Sequence, residues 1–255
     1  MLVFATETSC DETSICLMEN SSIVEHITFS QEIHKIHGGV VPELASRSHL
    51  EKIQIMTNEL FSRKNIDPNE INVFSATCGP GLIGSLLVGS TFTKSLAISF
   101  QKPFIPINHL EGHILSTSFN NDIKFPSVVL LLTGGHTQVY LMKDERNIEL
   151  LGQSVDDAIG EAFDKTAKLI GLSYPGGAEI EREAVRGNEN RFILPKPLVK
   201  EKNFNFSFSG IKTHINLLTK KNKIDKKFIQ DLSASFQKNI SDLLIEKLEK
   251  GLERL

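Results

Sequence analysis

Apolar and polar positions alternate with a short period at the start of the chain and with a helical period soon after it. LVFATE (2–7) and SICLME (14–19) read as strands joined by a polar turn, antiparallel if they form a hairpin. VVPELASRSHLEKIQIMTNELF (40–61) is amphipathic: Val41, Leu44, His49, Ile53 and Leu60 recur near helical spacing, and Pro42 suits a first turn. NVFSAT (72–77) and PFIPIN (103–108) read as strands around CGPGLIGSLLVGSTFTKSLAIS (78–99), a glycine-rich loop that opens a helix. SVVLLLTGGHTQVYLMK (127–143) reads as strand, tight turn, strand.

After that the character changes. DDAIGEAFDKTAKLIGL (156–172) and GGAEIEREAVRG (176–187) are helical patterns, and PKPLVKEKNFNFSFSG (195–210) is a loop punctuated by Pro and Asn. Ser209 reads as the N-cap of a helix that carries Lys212. From Lys226 onward one long helix is expected, with Leu232, Phe236, Ile240, Leu243, Leu244 and Leu248 as its apolar stripe and a helical pattern to the end of the chain.

Composition changes this picture little, but it excludes some classes. With 255 residues the chain can bury a core without staples. The absence of Trp and the two Tyr residues argue against a carbohydrate or base-stacking platform. Cys10, Cys16 and Cys78 show no CxxC spacing, so neither a disulfide framework nor a zinc knuckle fits; reduced thiols and a cytoplasmic location are the expectation. Acidic residues interrupt the N-terminal apolar run, which is not a signal peptide, and VVLLL is far below a membrane span. The net charge of −3 is uneven: residues 196–227 hold nine lysines against Glu201 and Asp225, a local +7 that leaves about −10 elsewhere. That asymmetry reads either as a polyanion-binding face or as a solvated surface.

Five stretches carry candidate chemistry. TETSCDET (6–13) puts hydroxyls and carboxylates at a strand-to-strand turn, where backbone N–H groups can meet a phosphate and Asp11 or Glu12 can hold a cation or orient a reacting group. In LLLTGGHTQV (130–139), Gly134-Gly135 is a hairpin signal that also lets a ligand approach the backbone, with Thr133 beside it. GPGLIG matches a dinucleotide fingerprint literally, but no acidic residue follows at the ribose-binding distance. Close helix–strand packing or a helix N-terminus aimed at an anion fits better. In NHLEGHI (108–114), His109 and His113 stand on one helix face and can chelate a metal, while Glu111 is misplaced for a zincin base. Asp164 reads as a surface partner of Lys168 or as a ligand-hydroxyl acceptor, and Gly176-Gly177 starts the next helix.

In order, ETSCDET, GGVVPELASRSH, GPGLIGSLLVG, NHLEGHI, LLLTGGHTQV, DDAIGEAFDKTAKLIGLSYPGG and FSFSGIKT closely resemble the motifs of the TsaD (Gcp) family, the tRNA adenosine threonylcarbamoyltransferases, over essentially the whole chain. The resemblance implies an α/β fold of the actin-like ATPase (sugar kinase/Hsp70/actin) type, with a first lobe over 1–130 and the start of a second over 131–255. It implies transfer of a threonylcarbamoyl group from threonylcarbamoyl-AMP to the exocyclic amine of the adenosine after the anticodon. His109 and His113 would bind one divalent metal, iron or zinc. Leu131, Leu132, Thr133, Gly134, Gly135, Asp164 and Gly177 would line the adenylate site, with Glu181 a further acidic contact. Asp11 and Glu12 would fall in the phosphate-facing turn. TsaB would dock on the helices around GGVVPELASRSH, and TsaE would complete the assembly with tRNA as substrate.

The family pattern continues past the long helix into a buried strand and a glycine loop that bring a third metal ligand. This chain is therefore expected to be a truncated member. Two rival readings remain at this point: a non-catalytic interaction partner, and an actin-fold kinase or ATPase.

Overall fold

The computed structural model describes residues 1–119 and 121–253, the side chain of Lys35 excepted. It divides into two units, 1–122 and 123–255. The division falls earlier than the expected break after residue 130, so the whole of the first strand of the second unit belongs to that unit.

The first unit is built on a five-stranded sheet. Its strands are β1 (Leu2–Glu7), β2 (Glu12–Glu19), β3 (Ser22–Ser30), β4 (Val73–Gly79) and β5 (Phe104–Asn108), in the order β3-β2-β1-β4-β5. β1, β2 and β3 form an antiparallel meander, while β1, β4 and β5 are parallel. That order, antiparallel on one side of β1 and parallel on the other, is the actin-like half-fold that the family resemblance implies. Helices α1 (Pro42–Lys64) and α2 (Ile83–Ser99) cover one face, burying Phe4, Ile15, Leu17, Met56, Leu60, Phe74 and Ala97 together. Pro42 occupies the first turn of α1, where its missing N–H costs nothing. Asn65 ends α1 in the left-handed conformation at φ 50° and donates its N–H to the closing carbonyls. The short helix α3 (His109–Leu115) follows β5 directly.

The second unit pairs β6 (Ser127–Leu132), β7 (Thr137–Asp144) and β8 (Asn147–Gln153) in an antiparallel sheet. Four helices follow: α4 (Ile159–Leu169), α5 (Gly176–Ala184), α6 (Ser209–Lys221) and α7 (Lys226–Leu252). The expected stripe of α7 is buried at Leu232, Phe236, Ile240 and Leu243, and Leu244 and Leu248 pack against the same core. Arg254 and Leu255, onto which the helical pattern was extended, lie outside the described residues.

The segment read as a plain loop before α6 does more than connect. Phe204, Phe206 and Phe208 are all buried, and Phe206 exchanges backbone hydrogen bonds with Gln153 and Val155. The polar residues between them keep a strand-like alternation. Among the described residues no helix is long and apolar enough to cross a membrane.

Candidate active site

The parallel strands β1, β4 and β5 end at one edge of the first sheet, and such C-terminal edges are where open α/β sheets bind ligands. Glu7 closes β1 and His109 opens α3 immediately after β5. Asn108 caps that helix: its Oδ1 accepts the amides of Leu110 at 2.9 Å and Glu111 at 3.3 Å. The helical spacing then brings His113 beside His109, with the two Nε2 atoms 3.2 Å apart. On its other nitrogen, His109 Nδ1 lies 3.2 Å from Ser9 Oγ and 3.5 Å from Glu7 Oε1. Burial pushes the Glu7 carboxyl up, but the His109 ring and the Ser9 amide outweigh it and hold it below the usual range. Neither Glu7 nor Ser9 stood out in the sequence, although both lie in the quoted TETSCDET turn.

That turn is tied down at three successive carbonyls. Ser9 O accepts from Leu82 N at 2.8 Å, Cys10 O from His49 Nε2 at 3.0 Å, and Asp11 O from Gln31 N at 3.1 Å. In a trans peptide the following N–H points the opposite way. The amides of Cys10, Asp11 and Glu12 are therefore each turned away from the group that anchors the preceding carbonyl. The expected close packing of the glycine loop is present here: a Cβ on Gly81 would fall 2.6 Å from Ser9 O. Asp11 and Glu12 sit at the turn as expected, and Glu12 Oε1 accepts the Ser30 hydroxyl at 2.8 Å. The Cys10 thiol is held in its protonated form: desolvation first, then the Asp11 and Glu7 carboxylates, push its pKa up to about 12.

In the second unit the β6–β7 turn is closed by Thr133, whose N–H donates to His136 O at 2.9 Å and whose Oγ1 accepts His136 N–H at 3.0 Å. Gly134 and Gly135 form the tip, and a Cβ on either would meet open space. Leu131 is buried at 8% exposure while Leu132 is 40% exposed, so the two flank the turn on opposite faces. Thr137 Oγ1 accepts the first amide of α4, from Ile159, at 2.8 Å. Gly160 brings that helix against the tip, since a Cβ there would lie 2.6 Å from Gly134 Cα. Turn amides and a helix N-terminus are thus adjacent, an arrangement that favours an anion.

Asp164, further along α4, accepts the Gly176 amide at 2.7 Å. It is engaged with the start of α5 rather than with Lys168. A Cβ on Gly177 would meet open space, and Glu181, one turn on, borders a groove between α5 and α7 together with Val185, Gln237 and Lys238. The expected adenylate-lining residues therefore lie along one connected path of turn, α4 and α5.

The Ser209 cap is corrected. Ser209 is the first residue of α6 and does not cap it. Asp156 does that work from a distance: it accepts the Ser207 and Ser209 hydroxyls at 2.6 Å each, and the amides of Phe208 at 2.8 Å and Ser209 at 3.3 Å. Nothing around Asp156 in sequence signals this role.

Two imidazole nitrogens on a tetrahedral ion at about 2.0–2.1 Å stand about 3.3 Å apart. The His109–His113 separation of 3.2 Å fits that requirement. A carboxylate behind the first His is the usual outer support of such a ligand. Among the described residues no group of three His, Cys, Asp or Glu converges on one point, so the pair supplies two donors.

Comparison with known proteins identifies the family of the chain. The family described as "TsaD: tRNA N6-adenosine threonylcarbamoyltransferase" matches residues 22–254. The chain is 46% identical over 258 residues to the tRNA N6-adenosine threonylcarbamoyltransferase of Fervidobacterium nodosum, covering 98% of this chain and 77% of that protein. It is 43% identical over 251 residues to the one of Wolbachia pipientis wMel, covering 98% and 75%. Among solved structures, component A of the Acidaminococcus fermentans (R)-2-hydroxyglutaryl-CoA dehydratase aligns with a TM-score of 0.49 at 11% identity, over 98% of this chain and 78% of that one.

Proposed function

We propose a reaction from the premise that this chain belongs to the TsaD family, the tRNA N6-adenosine threonylcarbamoyltransferases. The donor is threonylcarbamoyl-AMP and the acceptor is the exocyclic amine of the adenosine that follows the anticodon. The amine lone pair attacks the carbamoyl carbon. The new N–C bond forms, the C–O bond to phosphate breaks, AMP leaves with that electron pair, and one amine proton is released. The amine is a poor nucleophile because adenine delocalises its lone pair, so the work lies in polarising the donor and holding it in line.

The observation that carries this reading is the paired Nε2 atoms of His109 and His113, with His109 Nδ1 against Ser9 and Glu7. These two residues would hold a divalent ion, iron or zinc, which supplies Lewis-acid polarisation of the donor carbonyl. Ser9 and Glu7 keep the His109 proton on Nδ1 and so leave Nε2 as the ligating atom. The amides of the turn at Cys10, Asp11 and Glu12 would face the charge that develops on the donor carbonyl. In the second unit, the Gly134-Gly135 tip and the first turn of α4 receive the adenylate phosphate, and Gly177 leaves room for the nucleoside, with Glu181 at its border. TsaB-like and TsaE-like partners complete the assembly. An anticodon loop presents unstacked bases, which suits an enzyme acting on a base amine.

The test is metal content and transfer together. His109→Ala and His113→Ala should each lose bound iron or zinc and abolish threonylcarbamoyl transfer to tRNA, with the fold retained by circular dichroism. Full metal retention in the double variant would remove the metal role.

A further inference from the structure

Beneath the β1–β2 turn runs a fully buried chain of polar side chains that the reaction above does not use. Thr13, His49, His34 and Gln31 are 0%, 0%, 2% and 5% exposed. Their hydrogen bonds can be assigned one after another. Val41 N–H donates to His34 Nδ1 at 3.2 Å, so the proton of that ring is on Nε2, which donates to Gln31 Oε1 at 2.9 Å. With its oxygen taken, Gln31 presents its NH2 group to Ala45 O at 3.3 Å and to the His49 ring, 3.3 Å from Nδ1 and 3.5 Å from Nε2. The one in-plane lone pair of His49 Nδ1 faces the Thr13 hydroxyl at 2.7 Å. The His49 proton is on Nε2, and it donates to Cys10 O at 3.0 Å.

We infer that His49 is a positioning residue for transfer: as a neutral Nε2–H imidazole it holds the Cys10 carbonyl, and with it the turn from which Ser9 reaches His109. The role rests on the reading of that turn as part of the active site. Gln31 supports it twice, by its backbone N–H on Asp11 O and by its side chain on His49. Cys10 O can only accept, which fixes a proton on Nε2. A second proton on Nδ1 would reverse the Thr13 hydrogen bond and place a charged ring beside the Gln31 NH2 group. Burial first, and then the nearby His34, disfavours the charged ring; the Cys10 carbonyl and the Glu7 and Asp11 carboxylates on the turn pull the other way without prevailing. Leaving a nitrogen of the fully buried His49 ring unpaired is expensive. The turn and its anchor therefore stand or fall together.

Nitrogen-15 spectra of the histidine side chains in the intact chain test the assignment without any assay of transfer. His49 should show the neutral Nε2–H form and should charge only below the pH at which a free ring does, near 6.5. An Nδ1–H form, or titration near 6.5, would overturn the inference. The functional arm uses His49→Ala and His49→Gln, since a Gln amide can still donate to Cys10 O. His49→Ala should lower kcat by about 10- to 100-fold with KM for tRNA little changed. His49→Gln should recover part of that loss, and both should shift the Ser9–Glu12 amide resonances. Should both fail to fold, Thr13→Val removes one donor to Nδ1 at nearly constant volume and should shift the same resonances. Unmoved turn resonances and unchanged kcat in a folded variant would reduce His49 to a core residue. An inactive parent chain would count against the transferase reading and leave the spectra to decide this one.

Discussion

Asp164 Oδ1 accepts the backbone amide of Gly176 at 2.7 Å, so the first turn of α5 is capped from the middle of α4. Pro175 stands at the N-cap with no side-chain acceptor of its own, and the borrowed carboxylate satisfies one of the amides that every helix start leaves open. Asp164→Ala should therefore cost about 0.5–2 kcal/mol in urea unfolding. Gly176→Ala should cost at least as much by a different route, about 1–3 kcal/mol of overpacking. Its Cβ would sit 2.6 Å from Ala167 Cβ and 2.8 Å from Asp164 Cα. Unchanged unfolding midpoints in both variants would show that the α4–α5 junction is looser than described.

Asp156 makes the stability of the second unit depend on acid. Burial raises its carboxyl, but the Ser207 and Ser209 hydroxyls and the Phe208 and Ser209 amides more than compensate, and the pKa lies below the ordinary value of 3.8. The unfolded chain thus takes up this proton before the folded one does. The contribution is complete above pH 3.8 and fades as pH falls through the folded value. Thermal melts from pH 7 down to pH 3 should show a smaller acid-induced loss in Asp156→Asn than in the parent. An identical slope would assign that sensitivity to other carboxylates.

Glu7 and Ser9 touch His109 Nδ1, so in the proposed metal site they would support the ligand from behind. Glu7→Gln should weaken metal affinity by about 10- to 100-fold, the usual cost of losing an outer partner. His113→Ala should abolish binding. Competition with a chromogenic chelator separates the two behaviours. Equal loss in both variants would make Glu7 a direct ligand, and no loss in Glu7→Gln would leave Ser9 as the support of His109.

Most strands are legible in the sequence, including the edge strands β5 and β6, while β3 and β8 are not. Strands with one buried face, such as LVFATE and SICLME, announced themselves by alternation. β3 (SIVEHITFS) and β8 (NIELLGQ) are edge strands: a bulge at Val24 breaks the alternation of β3, whose Val24, Ile27 and Phe29 pack on the core, and β8 fully buries only Gly152. The His pair was visible because four residues along a helix fix a geometry. His49 was rightly placed on the apolar stripe of α1, but its partners Thr13 and Cys10 lie 36 and 39 positions away. Asp156 acts across 51 to 53 positions on Ser207 to Ser209. Contacts of that range exist only once the chain has folded, and no local spacing encodes them.

The lysine-rich region separates in the structure into two classes, and the difference predicts which lysines meet RNA. Lys196 is paired with Glu246 and Asp242, Lys202 with Glu253 and Lys212 with Asp157. These cations are already balanced within the fold. Lys220, Lys221, Lys223 and Lys226 instead stand exposed around the connection between α6 and α7, where Asp225 is committed to capping α7 through Phe228 N at 2.9 Å. Each lysine that neutralises a phosphate releases a counterion and adds about 0.7–0.9 to the slope of log affinity against log salt. Replacing all four by Gln should lower that slope by about 3 and weaken tRNA binding most at low salt. Lys196→Gln and Lys212→Gln should leave the slope unchanged. Lys196→Gln should also lower thermal stability, because Glu246 and Asp242 lose their shared partner, whereas Asp157 keeps Lys165 at 2.6 Å in the Lys212 variant. Binding isotherms over a series of salt concentrations decide the matter. An unaltered slope in the fourfold variant would make the α6–α7 corner a solvated surface, and a slope change in the Lys196 or Lys212 variants would place the RNA on the other side of the loop.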